Sequence, residues 1–137
     1  MTYTRLIPIE FNHCDPAGIV FYPRYFEMIN SVIENFFADV LDASFADIHM
    51  QGGHGVPTVR IEANFKRPSR LGEKVMFSLN IKLIGRTSVT VLITAGDTQS
   101  PRLTADMTLV WMNLHAGAEQ WPDGIRSRMT AFMETPT

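Results

Sequence analysis

Apolar and polar positions change their spacing along this chain, and each change marks a new element. Between Tyr22 and Leu41, Phe26, Ile29, Ile33, Phe36, Phe37 and Val40 recur at steps of three and four, while Glu27, Asn30, Ser31, Glu34 and Asn35 take the other side. That period predicts one long helix, with Pro23 in its first turn, where a missing N–H costs nothing. Tyr25, Met28 and Val32 widen its apolar face, so the helix needs a large surface to lie against. From Val56 the period drops to two. Val59, Ile61, Ala63 and Phe65 alternate with Arg60, Glu62, Asn64 and Lys66, and Val75, Phe77, Leu79, Ile81 and Leu83 alternate in the same way. Ser88 to Ala95 is rich in β-branched residues, and Ala105, Met107, Leu109 and Trp111 alternate again. Tyr3 to Phe11 predicts a first strand, and Pro122 to Met133 a short terminal helix.

The expected order is thus one strand, the helix, four strands and a tail. Strands that run on after a helix predict an α+β protein with an antiparallel five-stranded sheet, not βαβ units. No linker, internal repeat or low-complexity tract divides the chain, so residues 1–137 are expected to form a single domain. One helix covers only part of such a sheet, and an edge strand leaves backbone groups unpaired. A homodimer with joined edge strands follows as an expectation.

Composition narrows the classes. Lys and Arg number 12 against 14 Asp and Glu, for a net charge of −2, and no basic block marks a nucleic-acid footprint. The one cysteine, Cys14, cannot form an internal disulfide, which suits a reducing compartment. The first residues, Met1-Thr2-Tyr3-Thr4-Arg5, show no apolar signal core, and the apolar helix carries Arg24, Glu27, Glu34 and Asp39. A cytoplasmic protein that binds neither nucleic acid nor membrane is expected.

The chemistry concentrates in Cys14-Asp15-Pro16-Ala17-Gly18-Ile19-Val20-Phe21-Tyr22-Pro23-Arg24-Tyr25. An acidic residue stands in a tight loop just before a helix. The first N–H groups of a helix lack internal partners and, with the macrodipole, attract negative charge. A thioester carbonyl placed there is polarised and its oxyanion stabilised. Tyr22 offers the N–H, Gly18 permits a backbone turn that other residues resist, and Asp15 can attack as a nucleophile or activate water. Asp-Pro-x-Gly is equally an ordinary turn, with Asp capping its own backbone.

The loop resembles the signature of the 4-hydroxybenzoyl-CoA thioesterase family, within the hotdog superfamily. That family keeps an Asp, a Gly three residues later and a Tyr at the helix start, matched here by Asp15, Gly18 and Tyr22. The run Asp15 to Val20 followed by an aromatic and Tyr22-Pro23 is similar to the namesake enzyme. The resemblance implies a hotdog fold, in which a curved sheet wraps the long central helix. It implies an acyl-CoA thioesterase using no metal or organic cofactor, with Asp15 as the essential carboxylate and the Tyr22 N–H as oxyanion donor. It also implies edge-strand dimers associating into tetramers, with acyl-CoA at subunit interfaces. Many relatives carry His-Val-Asn after the Gly, where this chain has Ile19-Val20-Phe21. That difference favours the 4-hydroxybenzoyl-type branch, although close relatives also hydrolyse short and medium acyl chains.

Thr58 and Val59 are expected to line the pantetheine channel, as that strand does in similar enzymes. Lys66, Arg67, Arg70 and Arg86 flank strand ends and are candidates for the CoA phosphates, Arg86 first. His13, His49, His54 and His115 show no metal-ligand spacing. Cys14 beside His13 lacks a third orienting group for nucleophilic catalysis. Two rivals remain open: a non-catalytic acyl-CoA or acyl-carrier binding module, and a dehydratase, which wants a groove histidine.

Overall fold

The computed structural model describes residues 1–136, so residue 137 of the expected domain lies outside the described residues. Five strands form one antiparallel sheet: β1 (Tyr3–Pro8), β3 (Thr58–Phe65), β4 (Lys74–Ile84), β5 (Ser88–Asp97) and β6 (Ser100–Val110), in the order β1-β4-β5-β6-β3. Helix α1 (Pro23–Asp39) lies over one face, and α2 (Asp123–Glu134) packs beside it, with Phe132 edge-on to Phe36. A small second sheet joins β2 (His54–Gly55), β7 (Met112–Asn113) and β8 (Gly117–Ala118) in the order β2-β7-β8.

Helix α1 has 17 residues, about 25 Å of axis, and is shorter at both ends than the expected span of Tyr22 to Leu41. Its buried residues are Tyr25, Met28, Ile29, Val32, Ile33, Phe36 and Phe37, a strict three-four stripe. Phe26 and Val40, expected on that stripe, are half-buried and stand at its margin. The stripe meets the inward side chains of the sheet: Val75, Phe77, Leu79, Ile81, Val89, Val91, Ile93, Ala95, Leu103, Ala105, Met107 and Leu109. These residues, with Trp111 and Trp121, form one apolar cluster.

Register slips break the simple alternation at three places, one of them between Ala95 and Gly96 of β5. In β4 the register slips between Ile81 and Leu83, and the bulge turns Leu83 outward to 65% exposure, against the expectation that it is buried. In β3 the slip falls between Thr58 and Arg60, so Val59 is the extra residue and lies outside the regular pairing. The first strand is also shorter than expected. It ends at Pro8, and a 3-10 turn, Phe11–His13, carries the chain into the next loop.

Strand β3 is an edge and is exposed over nearly its whole length. Val59, Ile61 and Phe65 remain open there at 57%, 39% and 46% exposure. A strand with unpaired backbone on one side and open apolar side chains is a pairing surface in waiting.

Candidate active site

The loop after β1 folds into a narrow hairpin. The Asp15 N–H donates to Ile19 O at 3.0 Å, the Phe21 N–H to His13 O at 2.9 Å, and Cys14 bridges Val20. Pro16 and Ala17 form the tip, closed by the Gly18 N–H to Asp15 O at 3.0 Å. Gly18 has φ +80°, in the region that side chains disfavour, which is why glycine belongs here. The hairpin is stitched to the turn before β4 by the Val20 N–H to Ser69 O and the Leu71 N–H to Gly18 O.

Asp15 is half-buried at the base of the tip. Its Oδ1 accepts the Ala17 N–H at 2.9 Å, which fixes the rotamer. Its Oδ2 has no partner among the described residues. The carboxylate borders an open pocket of about 540 Å³ with Phe11, Cys14, Pro16, Gly18 and Leu71. The hairpin then leads directly into α1. Tyr22 is the N-cap, Pro23 follows, and the Tyr22 N–H has no hydrogen-bond partner among the described residues. A free N–H at a helix start is the donor that an oxyanion needs. The Tyr22 ring contacts Phe21 and Phe65 edge-on and borders a second, smaller pocket with Ile19, Val20, Tyr25, Phe65, Lys66, Arg67 and Pro68.

The sequence profile of the Thioesterase-like superfamily matches residues 9–129. The chain belongs to that superfamily. The match takes in the hairpin, α1, the rest of the sheet and most of α2. No curated protein matches the sequence at a significant level. Solved structures match at the level of fold. A 1,4-dihydroxy-2-naphthoyl-CoA thioesterase from Synechocystis superposes with TM-score 0.86 at 17% identity, covering 99% of this chain and 100% of that one. A hypothetical protein from Staphylococcus aureus in complex with CoA superposes at 0.88 with 13% identity, over 100% and 87% of the two chains. A gentisyl-coenzyme A thioesterase superposes at 0.82 with 20% identity, over 93% and 99%. The fold of this thioesterase-superfamily chain is therefore the hotdog fold, with its five-stranded antiparallel sheet and C-terminal helix.

Within one chain, the residues expected to act together fall into two groups. Asp15, Gly18, Tyr22, Arg67 and Arg70 gather where α1 begins and β4 begins. Arg70 bridges Ile19, and the Arg67 guanidinium donates to Ser100 O at 2.7 Å. Thr58, Val59 and Arg86 stand at the opposite end of the sheet. Thr58 pairs with Leu109, and Arg86 precedes Ser88, which pairs with Val110. Strand β4 alone separates the two ends by 11 residues, about 35 Å. A single subunit therefore cannot bring Arg86 or Thr58 to Asp15.

Between the ends runs a groove of about 550 Å³ along α1 and β3, lined by Phe26, Ile29, Phe45, Val56, Ile61 and Met107, with Asn30 and Glu34 at its rim. Sequence reasoning missed this groove because its walls come from distant segments. The structure stacks the His54 ring on Trp111 at 4.8 Å between centroids and sets its Nε2 2.9 Å from Glu119 Oε1. Among the described residues, no three His, Cys, Asp or Glu side chains converge as metal ligands, and no helix is long and apolar enough to cross a membrane.

Proposed function

We propose that this protein hydrolyses acyl-CoA thioesters, with Asp15 as the reacting carboxylate and the Tyr22 N–H as oxyanion donor. The observation that carries this reading is one short hairpin holding a half-buried carboxylate with a free oxygen just ahead of an unpartnered N–H at a helix start. The thioester carbonyl would rest against that N–H, where negative charge developing on oxygen meets the positive end of α1. The free Asp15 oxygen then attacks the carbonyl carbon or takes the proton of an attacking water. In the first route the CoA thiolate leaves and water cleaves the anhydride. In the second, water oxygen goes straight into the acid product. The naphthoyl-CoA and gentisyl-CoA thioesterases that share the fold support an acyl-CoA substrate. So does the apolar groove beside α1, which suits an acyl group, whether aromatic, as in 4-hydroxybenzoyl, or a short or medium chain.

The working unit in this reading is a dimer whose β3 strands pair antiparallel across a two-fold axis. The Thr58 end of one β3 then lies beside the Phe65 end of the other, which is flanked by Tyr22 and Tyr25. The partner supplies Thr58 and Val59 as the channel wall and brings Arg86 to the same end as Asp15. Such dimers would associate further into tetramers.

The test is release of free thiol from a panel of benzoyl, short-chain and long-chain acyl-CoAs. Asp15→Asn is expected to fold normally and to lose about 10²- to 10⁴-fold in turnover. Binding without turnover is the rival reading, and the Asx turn on Asp15 Oδ1 is what favours it. Wild-type protein that binds the panel but releases no thiol would establish the rival.

A further inference from the structure

Tyr25 is 5% exposed, yet its hydroxyl has no hydrogen-bond partner among the described residues. Among those residues Ser69 Oγ is the sole side-chain polar atom both sealed from solvent and unpartnered, so the Tyr25 oxygen still opens onto space. The space that Tyr25 borders is the small pocket of about 210 Å³ beside Tyr22. Packing holds the ring in place. It belongs to the buried stripe of α1 and lies 5.8 Å from the Phe65 ring, centroid to centroid. A buried phenol ordinarily finds a partner, and one that finds none within its own chain is available to a ligand.

The charge around this pocket has one sign. Ile19, Val20, Phe65 and Pro68 give apolar walls, Lys66 and Arg67 bring two cations, and no acidic residue lines it. The Arg67 guanidinium already donates to Ser100 O. The Lys66 ammonium has no ion partner among the described residues. The groove along α1 and β3 is opposite in sign, since Glu34 is the sole charged residue of its lining. The Phe65 ring stands between the two cavities, beside Tyr25 of the pocket and edge-on to Phe26 of the groove. An acyl group whose carbonyl rests at the Tyr22 N–H thus has two ways to lie, and its charge decides between them. An uncharged chain suits the groove, whereas an anion is repelled by Glu34 and drawn to Lys66.

We propose that the small pocket takes acyl groups that end in a carboxylate, the monothioesters of short dicarboxylic acids. The Tyr25 hydroxyl donates to the far carboxylate and the Lys66 ammonium pairs with it. This deepens the thioesterase reading and rests on it. A carboxylate makes the fullest use of such a donor and cation, because a hydrogen bond to an ionised acceptor is about twice as strong as a neutral one. The small volume limits the chain to a short one.

Substrate pairs of equal length test the assignment: glutaryl-CoA against valeryl-CoA, and adipyl-CoA against hexanoyl-CoA. Thiol release by the wild type should favour the carboxylate member about tenfold or more in kcat/KM. Tyr25→Phe, which keeps the ring, should reduce that ratio about tenfold, and Lys66→Gln about as much. The ratio compares two substrates on one enzyme, so a loss of stability common to both cancels. A wild type that prefers the uncharged members, or treats both alike, would overturn the proposal. So would variants that slow both members equally, which would leave Tyr25 a packing group and Lys66 a contact to the coenzyme. Binding of the same pairs by Asp15→Asn, with and without Lys66→Gln, followed by calorimetry, reads the preference without turnover. A binding preference that depends on Lys66, in a protein whose wild type releases no thiol, would leave this pocket standing and end the hydrolase reading alone. Thiol release without the preference would end this proposal alone.

Discussion

Asp15 and Gly18 act as a pair. The Asp15 Oδ1 to Ala17 N–H bond needs the tip to turn as it does, and the tip turns on the positive φ of Gly18. A Cβ at Gly18 meets nothing within 4 Å, so replacing it tests conformation and not crowding. Gly18→Ala should cost about 1–2 kcal/mol, read as a lowered midpoint in urea, and should reduce turnover by loosening the carboxylate. Retained stability with full activity would show that the tip geometry is irrelevant. Glu73 offers a second measurement at this scale. The Arg102 guanidinium and the Arg70 backbone N–H beside Glu73 hold its carboxyl below the usual range. A carboxyl lowered on folding contributes stability that is present above its unfolded titration range and fades as pH falls through the folded one. Glu73→Gln should therefore be less stable than wild type near neutral pH, with the gap closing in acid. A gap that widened in acid would contradict the ion pair. The effect is modest, because the Glu73 side chain is partly open to water.

At the level of elements, α1 and β3 matter most. The face of α1 that meets the sheet was readable from the three-four spacing, since a helix repeats its side-chain directions every turn whatever it packs against. The inward and outward faces of β4, up to its bulge, and of β6 were readable from alternation for the same reason. The bulges at Val59 and Lys82 were not, because a bulge arises from how two strands pair, and a strand's own sequence carries no record of its partner's register. Strand β3 also shows why an alternating pattern does not by itself identify a central strand. Ile61 and Phe65 face α1 yet stay open on the edge side. Ile61→Glu should leave the circular dichroism spectrum unchanged while weakening self-association about a hundredfold in sedimentation, as a charge is forced into the paired edge. A monomeric wild type at micromolar concentration would remove the dimer from the proposal.

For the whole molecule the question is which residues share a site. Asp15 and Tyr22 stand at one end of the sheet and Thr58 and Arg86 at the other, and the proposed dimer would bring the ends together. This makes complementation possible. Asp15→Asn and Thr58→Trp, each inactive alone, should recover about a quarter of wild-type activity when co-refolded in equal amounts, since half of the dimers are mixed and each mixed dimer has one intact site. No recovery would place the whole site within one chain.

The local features of this protein were determined by its sequence: the α1 stripe, the alternating strands, the Asp15-Gly18-Tyr22 loop and its place before a helix. These depend on neighbours within a few residues, through side-chain periodicity, proline and glycine geometry, and the free donors of a helix start. The tertiary structure alone decided the strand order, the bulges, the second sheet around His54, the pocket of Tyr25 and Lys66, and the parting of the expected site between two ends of the sheet. Those depend on contacts between segments far apart in the chain, where the free energy of pairing belongs to the partners jointly and neither segment encodes it alone.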